Sequence, residues 1–186
     1  MDDQAADERR IPLSWLLTPI VALTVAGTVA DIIGPHLITT HPLVQMFFNP
    51  RNRYLLLASP RVSAITFFSV GFIRLVLTDP IGFILGRQYG DAALKWAGDK
   101  MGDGGRFVTT LQRWFGKAGP VIILIAPNLQ MCLLAGASKM KMRVFLAMNI
   151  IGTIGRLVLI RLAGDAFNDE LESALEFIQR NQWKLV

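Results

Sequence analysis

Apolar and polar positions fall along this chain in long blocks, and the blocks predict helices before any residue chemistry is considered. From Ile11 to Ala30 twenty consecutive residues carry no charge. At about 1.5 Å of rise per residue, roughly twenty residues cross a hydrocarbon core about 30 Å thick. The pattern predicts a first transmembrane helix at about 13–34. The uncharged stretch Ile32 to Pro50 is broken by Gly34, Pro35, Pro42 and Pro50, so it is not one continuous spanning helix. Broken apolar chain at membrane depth points to re-entrant structure, and the first hairpin is expected over Leu43–Ser59 with its tip at Asn49-Pro50-Arg51-Asn52-Arg53.

Val62–Leu85 is apolar apart from Arg74 and the pair Asp79–Pro80, and predicts a second membrane helix with an interruption near its end. Residues 86–117 change character: Arg87, Lys95, Lys100, Arg106, Arg113 and Lys117 surround the loose segment Met101–Gly105, a water-side connection. Between these charges Trp96, Phe107, Trp114 and Phe115 recur as in helices lying at the membrane surface. Ala118 to Ser138 is again uncharged, but Gly119–Pro120, Pro127, Asn128, Gln130 and Gly136 break it. If it crossed, the basic cluster Lys139, Lys141 and Arg143 would lie on the opposite face from the basic 86–117 stretch. A second hairpin turning at Pro127–Asn128 keeps both on one side. Arg143–Gly164 is long enough to span, and its Asn149, Arg156 and Arg161 predict packing or a cavity rather than lipid around it. After Asp165, the positions Phe167, Leu171, Leu175 and Ile178 alternate with acids as in an amphipathic surface helix.

The expected division is thus a polar N-terminal tail at 1–12, whose first ten residues are expected to be disordered, a membrane domain at 13–164 and an amphipathic C-terminal helix at 165–186. Arg9–Arg10 before the apolar run and Thr28-Val29-Ala30 within it also fit a cleavable signal peptide, though the run is longer than a usual signal core. Composition agrees with a membrane: 52% of residues are hydrophobic and 18% charged, which excludes an ordinary soluble domain. The single Cys132 excludes a disulfide framework and a multi-cysteine metal site, while His36 and His41 stand at poor metal spacing. No cofactor is implied. The net charge of +5 is scattered between apolar runs, which fits membrane orientation and not nucleic-acid binding.

Arginine in hydrocarbon costs from about 3 to more than 10 kcal/mol, so Arg51, Arg53, Arg74, Arg156 and Arg161 need anions, carbonyls or water. Asp31 and Asp79 are the only carboxylates in or near the first two apolar regions, and a lipid phosphate is a reasonable further partner. Asp79 before Pro80 equally fits a helix cap that restarts the chain after a kink, or a proton carrier; Arg74 either snorkels or pairs with Asp79 across such a kink. Gly86 and Gly90 suit close helix packing. Asn128 and Gln130 suit the backbone groups left unbonded by Pro127, and Asn149 a bond across helices.

Two stretches carry a family resemblance. Gly82-Phe83-Ile84-Leu85-Gly86-Arg87-Gln88-Tyr89-Gly90 resembles the Gly-aromatic-x-x-Gly-Arg-x-x-Gly segment of the DedA family, also called the SNARE-associated or VTT-domain family. Gly116, Gly119, Pro127, Ala135-Gly136, Met140, Phe145, Asn149 and Gly152 stand at the spacing of a second motif of that family. The resemblance implies an all-α, polytopic inner-membrane protein with two oppositely entering re-entrant hairpins; separately, broken helices at membrane depth are tolerated where they line a cavity, so two such hairpins are expected to frame a polar groove. The activity it implies is lipid movement: recycling of undecaprenyl phosphate in bacterial members, phospholipid scrambling in eukaryotic ones. Leu124-Ile125-Ala126-Pro127-Asn128-Leu129-Gln130 lacks both arginines of the family's Arg-Phe-x-Pro-x-x-Arg, Arg156 replaces a usual Trp, and the first tip lacks the usual glutamate. With no counterpart of the usual last transmembrane helix, the resemblance is to a divergent, shortened member.

The expected function is a lipid-handling transporter or scramblase for an anionic, phosphate-bearing lipid, proton-coupled through Asp79 if coupled at all. Its substrate-binding residues are Arg51, Arg53, Arg74, Asp79, Asn128, Gln130, Asn149 and Arg156. Membrane lipids are the expected partners, nucleic acid is not, and a homo-oligomer is left open. The alternative is a non-transporting scaffold that binds a partner through the basic cytoplasmic face. An enzyme is not expected, because no zinc-ligand pair, serine–histidine constellation or suitably paired acids occur.

Overall fold

The computed structural model describes residues 11–100 and 104–185. The expected tail at 1–10 and residues 101–103 of the expected loop lie outside them, as do the side chains of Trp96 and Phe107, on which much of the interfacial expectation rests. All regular structure among the described residues is helical: α1 (Leu13–Ile32), α2 (Gly34–Thr40), α3 (Pro42–Phe48), α4 (Asn52–Ala58), a 3-10 turn (Ser59–Arg61), α5 (Ala64–Lys100), α6 (Gly104–Ile125), α7 (Leu129–Ala137), α8 (Met142–Ala166) and α9 (Asn168–Leu185). Three segments are long and apolar enough to cross a membrane, namely Leu13–Ile32, Ala64–Gly90 and Met142–Ala166.

Prolines set the boundaries of the short helices. Pro35 and Pro42 stand in the first turns of α2 and α3, where the missing N–H would have had no helical partner. Asp79–Pro80 behaves differently from a cap: α5 runs unbroken from Ala64 to Lys100 with Pro80 inside it. A proline removes one backbone bond but cannot stop a helix whose other bonds remain and which is packed along its length. Gly119–Pro120 is likewise absorbed inside α6, and the break expected in the second apolar region falls at 126–128.

The chain forms two compact units, with the division inside α1, α5 and α8: Val21–Val76 with Thr153–Val186, and Met1–Ile20 with Leu77–Gly152. In the first, α3 and α4 form a helical hairpin. Its feet meet where Arg61 donates to the Thr39 carbonyl (3.2 Å) and Ser59 packs on Gly164. The core of this unit includes Ile38, Met46, Leu55, Phe67, Leu157 and Leu175. Leu175 and Ile178 tie α9 into that core, whereas Phe167, expected on the same face, is 57% exposed.

In the second unit α7 is only nine residues long, about 14 Å, and cannot span. It turns back after α6, and a Cβ on Gly119 would stand 2.5 Å from Met140 Cε, so both ends of the 119–140 segment return to one place. The second hairpin therefore exists as expected. Its packing explains the first glycine motif. Gly82, Gly86 and Gly90 form one stripe of α5 against Leu129, Leu133 and Ala137 of α7, and a Cβ on Gly86 would fall on the Leu133 carbonyl. Phe83 and Phe145 stack with centroids 4.2 Å apart, and Ile123, Cys132 and Ala135 complete the core.

Candidate functional site

The eight residues expected to bind substrate divide between the units. Arg51, Arg53, Arg74 and Arg156 belong to the first, and Asp79, Asn128, Gln130 and Asn149 to the second. In the second unit two of them stand on the second hairpin. Asn128 caps α7, its side chain accepting from the Met131 N–H at 2.9 Å, and Gln130 lies exposed on α7. Asp79 and Asn149 are both buried and meet directly, Asn149 Nδ2 donating to Asp79 Oδ2 at 2.6 Å, with Cys132 Sγ at 4.0 Å from the same nitrogen. This is the bond across helices expected of Asn149, between α5 and α8.

The four arginines of the first unit gather around the tip of the first hairpin. Asn49 ends α3, Pro50 follows, and Arg51 stands in extended backbone before α4 begins, so the side chains of 49–54 fan outward from one turn. Arg51 and Arg53 both donate to Asp31, near the end of α1. Tyr54 adds its hydroxyl to Asp31 at 2.7 Å and Asn49 its amide at 3.2 Å. Asn49 also bonds the Gly27 carbonyl at 3.2 Å, which fixes the tip against α1. Arg156 of α8 holds the tip through the Asn52 side chain (2.8 Å) and the Pro50 carbonyl (3.2 Å), and Arg74 of α5 through the Phe47 carbonyl (2.7 Å).

Sequence reasoning paired Arg51 and Arg53 with lipid phosphate, and the structure gives them a protein carboxylate. Asp31 was visible as an acid near the first apolar run, but its pairing across twenty residues was not; Asn49, Asn52 and Tyr54 were missed as partners altogether. The one available signal was arithmetic, an acid in an apolar stretch followed by a doubly basic tip. Asp31 does not exhaust the charge. It is one acid facing two guanidiniums, whose side chains remain 58% and 57% exposed against 26% for Asp31. Each guanidinium has five N–H donors, so both keep donors for an anion arriving from outside.

Two members of the cluster lie well inside long helices. Arg74 is ten residues inside α5 and Arg156 ten residues before the end of α8, about 15 Å along each helix. Arg161, closer to the end of α8, is satisfied separately by Asp165 (3.1 Å) and by the carbonyls of Ser59 and Val62 (2.9 Å for Val62).

Comparison with known proteins gives one positive finding. The family model of the VTT domain matches residues 49–166. No curated protein and no solved structure gives a significant match. The matched region runs from the tip of the first hairpin to the end of α8 and covers well over half of the chain, including both glycine motifs. The chain therefore belongs to the VTT-domain family, that of the DedA and SNARE-associated membrane proteins.

Proposed function

We propose that this protein moves a lipid with an anionic phosphate headgroup, a polyprenyl phosphate or phospholipid, across the inner membrane without covalent chemistry. The observation that carries this reading is the tip of the first hairpin, where Arg51 and Arg53 share one carboxylate and stay half exposed. In this reading Asp31 holds the two guanidiniums from one side, and the phosphate takes their remaining N–H groups from the other. Arg74 and Arg156 keep the turn rigid, so the donors are aimed before the lipid arrives. The acyl or prenyl chains remain in the bilayer, and only the headgroup needs a polar route.

Purified protein in liposomes carrying fluorescent polyprenyl phosphate or phosphatidic acid tests this. Wild type is expected to speed exposure of the label to an impermeant quencher, and Arg51→Gln and Arg53→Gln each to slow it about tenfold, the worth of one charge-assisted contact. Equal rates with and without protein would end the reading. The scaffold alternative is favoured by one observation, that the second hairpin carries Leu124 and Gln130 where relatives carry arginines. It predicts no lipid movement, and capture of a partner protein undiminished by either substitution.

A further inference from the structure

A largely apolar pocket with one polar side lies away from the hairpin tip, at the hairpin's feet, with a volume of about 540 Å³. Arg61, His41, Ser63 and Thr66 form its polar side, and Leu43, Val44 and Val62 its apolar wall. Arg61 donates one N–H to the Thr39 carbonyl at 3.2 Å and has no acidic partner among the described residues. Ser63 caps α5, its hydroxyl accepting from the Thr66 N–H at 3.3 Å and lying 2.8 Å from the Thr66 hydroxyl. The positive end of a 37-residue helix thus opens beside an arginine without a counter-ion. The pocket stands where the span Ala64–Gly90 begins, which is headgroup level for that helix. It is separated from the tip by the length of α4, seven residues or about 10 Å.

We propose that this pocket is a second phosphate site, which takes the headgroup of an anionic lipid at the membrane surface. Arg61 supplies the charge and the fork of donors, the α5 terminus and the one O–H not spent between Ser63 and Thr66 supply neutral donors, and the apolar wall receives the first carbons of the lipid chain. A free phosphate ion would satisfy the polar side alone and leave Leu43, Val44 and Val62 facing water. As a waiting position for the transported lipid the pocket rests on the lipid-moving reading above; as a binding site it does not.

The test uses full-length protein in phosphatidylcholine nanodiscs containing photoactivatable phosphatidic acid, or diacylglycerol with the same chains and no phosphate. Cross-links are mapped by peptide mass spectrometry. Phosphatidic acid is expected to label peptides 40–44 and 61–66 about tenfold more than diacylglycerol. Arg61→Gln is expected to bring labelling down to the diacylglycerol level, while Arg61→Lys, which keeps the charge, retains most of it and shows that the fold tolerates change there. Equal labelling by the two lipids, or wild-type labelling in Arg61→Gln, would overturn the site. Loss of labelling in excess inorganic phosphate would overturn the lipid assignment in favour of the free ion. Lipid transport by wild type is measured in parallel. Selective labelling without transport leaves this site standing and ends the lipid-moving reading; transport without selective labelling does the reverse.

Discussion

Removal of Asp31 tests the central cluster most directly, because two substitutions separate its charge from its hydrogen bonds. In Asp31→Ala the hydroxyl of Tyr54 and the amide of Asn49, on residues only 7% and 4% exposed, lose the acceptor they share. A buried polar group left without a partner costs about 1–3 kcal/mol, and Asn49 keeps its bond to the Gly27 carbonyl, so about 2 kcal/mol is expected from the pair. The ion pairs to Arg51 and Arg53 add little, about 0.5 kcal/mol each, because both guanidiniums are more than half exposed and screened. The total is about 3 kcal/mol. Asp31→Asn keeps one acceptor oxygen for Tyr54 and Asn49 and loses the charge together with the second oxygen, which accepts from Arg51, about 1 kcal/mol. For a chain of this size about 3 °C of melting temperature accompanies each kcal/mol. The expected falls are therefore about 9 °C for Asp31→Ala and 3 °C for Asp31→Asn. Loss of the helical circular-dichroism signal during a thermal ramp reports unfolding of the unit that holds Asp31. If Asp31→Asn melts as low as Asp31→Ala, charge rather than hydrogen bonding holds the tip and the argument is refuted.

Three further outcomes follow from the packing. Gly86→Ala and Gly136→Ala would drive a Cβ into the Leu133 and Phe83 carbonyls and are expected to lose about 3 kcal/mol or fail to fold; Gly116→Ala and Gly155→Ala, with open space at the same position, should gain about 0.5–1 kcal/mol. Size-exclusion profiles and melting temperatures compare the two pairs. Both polar atoms of the Gln45 amide are buried without a partner among the described residues, so Gln45→Met is expected to raise the melting temperature by about 3–6 °C. Asn128→Ala removes the α7 cap at a cost of about 1 kcal/mol and should leave lipid movement near wild type, measured in the same liposomes as the arginine variants.

Local chemistry alone determined where this chain can cross a membrane and where it cannot. Long apolar runs, two of them carrying a few polar residues, produced α1, α5 and α8, and the prolines at 35, 42 and 127 produced short helices and turns, because hydropathy and a missing N–H act within a few residues. Gly86 and Gly90 were legible as a packing face for the same reason, since the spacing is a property of one helix, and the structure extends the stripe to Gly82. Local chemistry was insufficient at Asp79–Pro80, where cap and helix interior have the same sequence signature and only the packing around α5 chose the interior. It was equally insufficient for the choice of partners. Asp31 meets Arg51 and Arg53, Asn149 meets Asp79, and Arg156 meets Asn52 across more than a hundred residues, each pair joined by how the helices stack. A sequence states that a buried arginine must find an acceptor, because an unsatisfied charge in low dielectric is too costly to keep. Which acceptor it finds depends on distances between helices, and those are fixed by tertiary packing.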